Sequence, residues 1–245
     1  MEQQKLETEK PVMSYSKLNT YLTCSMKYKY KYIDKIEAPK SLSLLFGTVV
    51  HNVIRAWNIG NLEPTQVKEA TTAIWQEQLN KTNIENALDA IITASMDKSI
   101  ELLDGYFKLD RPKPDGTELY LTREADGIVL EGYIDGIFKD GNLVDYKTSS
   151  YRWKEERAGV ELQPSFYALL LDSNDLTFYF DILIKTKTPT YQLLNIHITN
   201  SDTTNTLKLV KTITQCIQNK IYYPIHSSIY CNPGFCEYYG TCYCP

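Results

Sequence analysis

The stretch GYIDGIFKDGNLVDYKTSS, from Gly132 to Ser150, decides how the second half of the chain is predicted to fold. The stretch overlaps two runs in which apolar and polar residues alternate, residues 128–139 and 143–148. The tripeptide Asp140-Gly141-Asn142 separates the two runs. Apolar and polar residues that alternate on both sides of a Gly-containing turn are typical of a β-hairpin. The sequence therefore predicts two antiparallel strands joined by a short loop.

The length of that loop determines whether the charged residues Asp135, Asp145 and Lys147 share one face of the hairpin. Residues two apart on a strand point the same way, so Asp145 and Lys147 lie side by side. A three-residue loop places Asp135 opposite Lys147 and Ile137 opposite Asp145, and the three charged groups then line one face. A two-residue loop would turn Asp135 to the other face. Three-residue loops are common in hairpins, and we expect the converging arrangement.

Two carboxylates beside a lysine on neighbouring strands match the ligands that a hard divalent cation prefers. Mg²⁺ binds one or two carboxylates and keeps several of its waters. A bound ion of this kind polarises a phosphate and activates water, and the lysine can stabilise charge on the phosphoryl group. The pattern indicates a metal-dependent phosphodiesterase. A plain surface ion pair beside a turn is the alternative.

The rest of the chain alternates between helical and strand periodicity. Helices are expected at about residues 17–33, 44–57, 63–79, 84–107, 161–171 and 202–218, and further strands at 118–125, 176–185 and 191–198. This order predicts the mixed α/β class, with a central mixed sheet flanked by helices. We expect a flexible tail over residues 1–12 and one domain over 13–245. That domain divides into a mainly helical part (13–110), a sheet core (117–220) and a Cys-rich, metal-binding tail (221–245).

Charge and hydropathy bear on two questions, whether the chain binds nucleic acid and whether it enters a membrane or the secretory route. The 245-residue chain has a net charge of −4, so nucleic-acid binding would require a local basic surface. KYKYKY, from Lys27 to Tyr32, is one candidate, although inward packing of its tyrosines is the favoured interpretation. No run approaches the roughly 20 apolar residues of a membrane helix. The polar N-terminus lacks the core of a signal peptide, and we expect a soluble, cytoplasmic protein without membrane contact.

Four segments of the chain resemble motifs of the PD-(D/E)XK nuclease superfamily, in its RecB-like branch. That branch has Gly, two apolar residues and Asp, then a hairpin and Asp-Tyr-Lys-Thr, which correspond here to residues 132–135 and 145–148. Its upstream helix carries a His after a Gly, matched by Gly47 and His51, and a later helix carries Gln and Tyr, matched by Gln163 and Tyr167. The opening SYSKLNTYLTCSMKYKYKY is also similar.

Two of these motifs contain departures. Ile134 stands before Asp135 where the superfamily motif is named for a proline, a departure that is usual for the RecB-like branch. Pro164 follows Gln163, and since proline is tolerated only in the first turn of a helix, Gln163 should lie near a helix start.

The resemblance implies a restriction-endonuclease-like fold and a role for each matched residue. His51, Asp135, Asp145 and the backbone carbonyl of Tyr146 would ligate Mg²⁺ or Mn²⁺. Lys147 would position the water or stabilise the transition state. Gln163 and Tyr167 would contact DNA or orient Lys147, and Glu124 is a candidate for a further carboxylate. The alternatives without a functional role are that His51 is a core histidine, that Gln163 caps a helix and that Tyr167 is a packed core residue.

The cysteines suggest a second metal site. Part of the RecB-like branch, including CRISPR-associated adaptation nucleases and iron–sulfur exonuclease domains, clips its two ends together with a 4Fe–4S cluster. By resemblance the ligands would be Cys24, Cys231, Cys236 and Cys242. The branch usually has two residues between the first cysteines of the C-terminal triplet, and this chain has four. Cys244 could replace Cys231 or stand free. Zn²⁺ is the rival metal, and unligated cysteines in a tail are the remaining alternative. Cys216, on an apolar helix, is expected to be packing.

The sequence thus predicts a metal-dependent deoxyribonuclease, an exonuclease on single strands or DNA ends rather than a site-specific endonuclease. Two alternatives remain open. One is a catalytically inactive nucleic-acid-binding module of the same fold, and the other is an interaction protein stabilised by the Cys-rich tail. Protein partners and oligomeric state are unknown at this point.

Overall fold

The computed structural model describes residues 10–82, 84 and 88–243. Cys244 and residues 1–9 of the predicted tail lie outside these residues. The α-helices are α1 (Tyr15–Thr23), α2 (Ser25–Tyr28), α3 (Leu42–Asn58), α4 (Val67–Asn80), α5 (Asp89–Tyr106), α6 (Glu155–Gly159), α7 (Gln163–Leu170), α8 (Asn200–Gln218) and α9 (Tyr239–Tyr243). A π-helix spans Lys29–Ile33 and a 3₁₀-helix spans Pro64–Gln66. The strands are β1 (Val12–Ser14), β2 (Gly116–Ala125), β3 (Ile128–Ile137), β4 (Leu143–Ser149), β5 (Asp175–Ile184) and β6 (Thr190–Thr199).

The six strands found within the described residues form one mixed sheet. Its order is β1-β3-β4-β5-β6, with β2 pairing along β3. β1 runs parallel to β3 and β4 runs parallel to β5, whereas the other pairs are antiparallel. Helices cover both faces, which confirms the predicted central mixed sheet flanked by helices. Of the part of the chain that the structure describes, no helix is long and apolar enough to cross a bilayer.

Two apolar cores lie on opposite faces of the sheet. One joins α3, α4 and α5 to β4, with Val53 and Trp75 fully buried and Val144 packed against them. The other joins α1, α7 and α8 to the sheet, with Phe166 and Phe178 at its centre. Strand β4 therefore has a helical layer on each side, and its side chains reach both layers alternately.

The structure corrects the predicted secondary structure in three places, two near the N-terminus and one in the middle of the chain. Val12, assigned to the flexible tail, begins β1, because it pairs with Val129 of β3. The helix expected over residues 17–33 is interrupted at Cys24, whose backbone is extended (φ −166°). The short helix α6 lies where no element was predicted. Short segments such as these carry too few residues to show a period.

The register of the β3–β4 hairpin also differs from the prediction. Ile137 pairs with Leu143 rather than with Asp145, and the loop has five residues, 138–142, instead of three. The Phe138 N–H donates to the Asn142 carbonyl, and Gly141 adopts a positive φ of 85° that closes the turn. The register shift is two residues, so the face of each β4 side chain is unchanged.

The tyrosines of the KYKYKY stretch pack inward, which confirms the interpretation favoured from the sequence. Tyr28 is 5 % exposed, and its ring stacks on Tyr222 with centroids 6.4 Å apart. Tyr30 packs against Tyr238 and Tyr32 against Tyr28. The rings thus hold the N-terminal segment on the C-terminal segment and are not presented to a ligand.

Hydrogen bonds tie the same two segments of the chain together. The Tyr21 hydroxyl donates to the Ile221 carbonyl at 2.6 Å, and Ser25 exchanges two hydrogen bonds with the backbone of Tyr223. Lys27 forms an ion pair of 2.7 Å with Glu237. We refer to residues 21–36 packed on residues 221–238 as the terminal clasp.

Replacing Asp202 with alanine is expected to lower the free energy of unfolding by about 1 kcal/mol. Asp202 accepts hydrogen bonds from the Thr199 backbone N–H and hydroxyl at the start of α8, and these bonds lower its pKa. A carboxylate with a lowered folded-state pKa stabilises the fold above its unfolded-state pKa, and the effect is lost as the pH falls through the folded value. Chemical denaturation at neutral and acidic pH measures the difference. An equal loss at both pH values would contradict the assignment.

Candidate active site

Four elements bring the predicted site residues together where β3 and β4 stop pairing. Within the described residues, the ladder between these strands contains only Gly136 with Val144 and Ile137 with Leu143. Next to it, the Asp135 carboxylate accepts the Tyr146 N–H at 3.0 Å. The side chain thus takes the place that a strand carbonyl would occupy, and its carboxylate is fixed beside the backbone of β4.

His51 of α3 forms one side of the site with Asp135. Its Nδ1 lies 3.2 Å from Asp135 Oδ2. Burial alone would lower the pKa of His51, but the hydrogen bond and charge of Asp135 outweigh it and raise the pKa. Burial alone would raise the pKa of Asp135, and His51 together with the Tyr146 N–H lowers it instead. The pair therefore favours an ionised Asp135.

Asp145, Lys147 and Gln163 form the other side of the site. The Asp145 side chain is 5 % exposed, and its Oδ2 lies 2.8 Å from Lys147 Nζ. Gln163 links the two charges, because its Nε2 donates to Asp145 Oδ1 while its Oε1 accepts from Lys147 Nζ at 2.8 Å. Burial raises the pKa of Asp145, opposed by the charge of Lys147. Among the described residues, Oδ2 accepts no hydrogen bond of good geometry.

Tyr167 extends this network along α7. α7 begins at Gln163 with Pro164 in its first turn, as the sequence predicted. Burial raises the pKa of the Tyr167 hydroxyl, which lies near Gln163 and the charge of Asp145, so that it stays a neutral phenol. Gly132 allows this packing, since a Cβ there would meet the Tyr167 ring at 3.2 Å. The motif glycine of β3 therefore sets how closely α7 approaches the sheet.

The chain matches one known protein family over nearly all of its length. Residues 12–243 match the model of the PD-(D/E)XK nuclease superfamily. The chain belongs to this superfamily. Membership supports hydrolytic nuclease activity and a nucleic-acid substrate, and the mixed sheet described above is consistent with the restriction-endonuclease-like fold of PD-(D/E)XK proteins.

Two individual proteins are similar to this chain, one in sequence and one in structure. The Gene 69 protein of Mycobacterium phage D29 is 27% identical over 190 residues, which cover 65% of this chain and 68% of the phage protein. A solved structure from Eubacterium rectale, provisionally described as an exonuclease, superposes with a TM-score of 0.61 at 14% identity. The match covers 94% of this chain and 92% of that one. At this identity the likeness shows the fold.

The structure adds two charged residues that sequence reasoning missed in this PD-(D/E)XK chain. Arg55 lies four residues after His51 on α3, and its Nε forms an ion pair of 2.7 Å with Glu118 of β2. Both residues line a small cavity of about 40 Å³ together with His51 and Asp135. The spacing of His51 and Arg55 on one helix face could have indicated the arginine. No sequence pattern indicated Glu118, because its position depends on a backbone conformation outside the regular strand (φ 49°).

Glu124, offered as a further carboxylate, lies away from these contacts. It pairs with Lys10 at 2.7 Å and is about half exposed. Its partner across the sheet is Val129 of β3, six residues before Asp135. The prediction that Glu124 adds to the site is therefore wrong, and Glu118 is the β2 carboxylate that lies near His51.

No three His, Cys, Asp or Glu residues in the described ranges are gathered into a ready metal site. In the candidate active site the carboxylates are engaged by protein groups, Asp135 by His51 and Asp145 by Lys147 and Gln163. The donors nevertheless have the chemistry of a Mg²⁺ site, with two carboxylates and an imidazole. Their present partners must give way where an ion binds.

The predicted cysteine ligands are only partly gathered. Cys24, Cys231 and Cys236 line one cleft of about 400 Å³ between α1 and the C-terminal segment. Burial raises the pKa of the Cys236 thiol, and the nearby Cys24 adds to the shift. Cys242 lies near the Tyr30 hydroxyl instead. Cys216 lies against the core that joins α1, α7 and α8 to the sheet, as expected for a packing residue.

Proposed function

We propose that this PD-(D/E)XK protein is a Mg²⁺- or Mn²⁺-dependent deoxyribonuclease, an exonuclease on single strands or DNA ends. The observation that carries the proposal is the convergence of Asp135, Asp145 and Lys147 at the opening between β3 and β4. Each comes from a superfamily motif, and the folded chain brings these motif residues to one place. The preference for exonuclease action rests on resemblance to the RecB-like branch, and the description given to the Eubacterium rectale protein is in keeping with it.

The residues that would hold the ion are His51, Asp135, Asp145 and the backbone carbonyl of Tyr146. The divalent ion supplies Lewis-acid polarisation of the phosphate and a water of lowered pKa. The donor set fits a hard cation, since carboxylate oxygens dominate it. The buried Asp145 Oδ2 supports the assignment, because its charge is matched by only one ion-pair partner, Lys147, in the described contacts.

The chain's own residues orient the reaction around the phosphate. Lys147 places a positive charge 2.8 Å from Asp145, where it can offset the charge that develops on the phosphoryl oxygens. Gln163 fixes the Lys147 ammonium by its carbonyl oxygen and fixes Asp145 by its amide. Tyr167 lies one turn after Gln163 on α7, beside this network. Hydrolysis then joins the water oxygen to phosphorus and breaks the bond to the leaving sugar oxygen.

A nuclease assay tests the proposed function. DNA labelled at the 5′ or the 3′ end, single- or double-stranded, is incubated with the protein in Mg²⁺, Mn²⁺ or EDTA, with Asp145→Ala as the control variant. We expect metal-dependent degradation that the variant lacks, and the pattern of labelled products reports polarity. A folded wild-type protein that cleaves no nucleic acid in either metal would favour the inactive binding module.

We also propose that Cys24 and the C-terminal cysteines Cys231, Cys236 and Cys242 bind a metal centre, a 4Fe–4S cluster in preference to Zn²⁺. The shared cleft of Cys24, Cys231 and Cys236 supports this, because it joins cysteines more than 200 residues apart in sequence. Thiolates serve both metals. Cys242 would have to leave its contact with Tyr30 to complete the set.

Replacing Cys24 with serine is expected to remove most of the bound metal, since one of four ligands is lost. The measurement is iron, sulfide and zinc content, with visible absorbance, on protein purified without air. Cys216→Ser is the matched control and should retain the metal. A wild-type protein that contains neither iron nor zinc would refute the proposed centre while leaving the nuclease proposal intact.

A further inference from the structure

Two tyrosine rings lie side by side on the solvent-exposed surface of the β2–β3 hairpin. Tyr120 and Tyr133 are cross-strand partners in the register of the hairpin. Their ring centroids are 4.9 Å apart at an angle of 42°, and the residues are 51% and 59% exposed. Large aromatic rings usually contribute by burial. An exposed pair of rings therefore offers binding surface that the fold itself does not use.

The two rings border a cleft whose wall includes Tyr167, next to Gln163 of the candidate active site on α7. The cleft has a volume of about 440 Å³, and Tyr120 and Tyr133 line it together with Tyr15 and Tyr167. Tyr167 lies one turn after Gln163 on α7, and Gln163 contacts Asp145. Tyr167 thus belongs both to the cleft wall and to the network around Asp145. A chain-like ligand bound at Asp145 would meet the two rings next.

The acidic residue in the cleft is already paired. Glu131 Oε1 lies 3.0 Å from Lys17 Nζ, and Oε2 accepts the Tyr120 hydroxyl at 3.1 Å. The lysine offsets the charge that would otherwise repel a phosphate. The hydrogen bond to Glu131 also raises the pKa of Tyr120, so the ring remains neutral. The surface available to a ligand is then mainly aromatic.

We propose that Tyr120 and Tyr133 form a stacking platform for the unpaired bases of a single-stranded nucleic acid whose phosphodiester lies at Asp145 and Lys147. This inference rests on the proposed function and assigns its substrate class. Bases of a single strand expose their faces and stack on aromatic side chains regardless of sequence. Bases inside a duplex are already stacked on each other, so the platform discriminates against the duplex.

The test is an equilibrium binding series in an Asp145→Asn background, which serves only to prevent cleavage. Fluorescence anisotropy gives Kd for a labelled oligothymidylate, for the same strand with a run of abasic sites, and for a duplex. Tyr120→Ala with Tyr133→Ala is expected to weaken oligothymidylate binding roughly 10- to 100-fold. Binding of the abasic strand and the duplex should change little, because neither offers a free base to the rings.

Three controls keep the test specific. Tyr120→Phe with Tyr133→Phe retains the rings and should restore most of the affinity. Tyr223→Ala removes another exposed tyrosine, on the C-terminal segment, and should leave Kd unchanged. Thermal unfolding confirms that all variants are folded.

The outcomes separate the platform from the nuclease. Equal losses on the abasic strand, or unchanged oligothymidylate binding while the wild-type protein still cleaves DNA, would overturn the platform and leave the proposed function standing. If the double alanine variant binds oligothymidylate as tightly as the wild type but no longer self-associates, the rings form a contact between two copies of the chain. That result would also overturn the platform. A wild-type protein that neither binds nor cleaves nucleic acid would remove both proposals.

Discussion

Replacing Lys147 with alanine is expected to lower the rate of metal-dependent DNA cleavage by about 100- to 1,000-fold. The ammonium lies 2.8 Å from both Asp145 Oδ2 and Gln163 Oε1, at the point where the scissile phosphate is proposed to lie. Its loss removes the positive charge that would stabilise the developing charge on the phosphoryl oxygens. Single-turnover cleavage of an end-labelled single strand, with protein in excess, measures this step without product release.

The matched control for this variant is Lys211→Ala. Lys211 forms an ion pair of 2.7 Å with Asp126, so the substitution removes a comparable contact elsewhere on the surface. Surface pairs of this kind contribute little to stability, and the cleavage rate should stay within about twofold of wild type. Comparable activity in the Lys147 and Lys211 variants would show that Lys147 is a structural ion-pair partner.

Replacing Asp145 with asparagine is expected to lower the cleavage rate by at least about 1,000-fold, or about 4 kcal/mol of activation free energy. Asparagine keeps the shape of the side chain and an oxygen that can accept from Gln163. It removes the charge needed to hold a divalent ion, so calorimetric titration should show weaker Mg²⁺ or Mn²⁺ binding. The fold should be retained, because the buried residue changes by one atom type.

Stability provides a second readout for the same variant. Burial raises the pKa of Asp145, so the folded protein holds this proton more tightly than the unfolded chain. The stability that this proton contributes is complete below the unfolded-state pKa and is lost as the pH rises through the folded-state pKa. The asparagine of the variant does not ionise, and the Tm of the variant should fall less with rising pH than that of the wild type.

Asp181→Asn is the control that separates buried charge from catalysis. Asp181 is also buried, on the neighbouring strand β5, and burial likewise raises its pKa. It accepts the Tyr106 hydroxyl at 2.8 Å and takes no part in the contacts around Lys147. The Asp181 variant should show the same trend in Tm and keep its cleavage activity. Equal loss of activity in both variants would argue against a specific role for Asp145.

Much of the fold could be predicted because the long strands carry strong periods. β5 and β6 were expected within one residue of their observed bounds, since each repeats apolar residues over about ten positions. β1 could not be found in the same way, because three residues show no period and its partner Val129 is remote in sequence. The hairpin register was wrong because loop hydrogen bonds, and not composition, set a five-residue loop.

The candidate site was predicted from motif order, and its contacts explain which parts could be anticipated. Asp145 and Lys147 share a face by strand geometry alone. The contacts of Gln163 with both depend on how α7 packs on the sheet, where Gly132 makes room for Tyr167, a tertiary detail that no local pattern reports. Glu118 escaped notice because its place beside Arg55 depends on an irregular backbone. The roles of all these residues remain predictions for the variants above.

The terminal clasp has a consequence for how the molecule is made. Tyr21 and Ile221 are 200 residues apart, and Tyr238 donates to the Ile36 carbonyl across 202 residues. Contacts between residues so far apart in sequence form slowly. On the ribosome, the rings of residues 21–36 have no partners until residues 221–238 have been translated. Nascent chains therefore expose an aromatic, aggregation-prone surface throughout synthesis. We expect chaperone dependence to map to residues 21–36 rather than to the sheet.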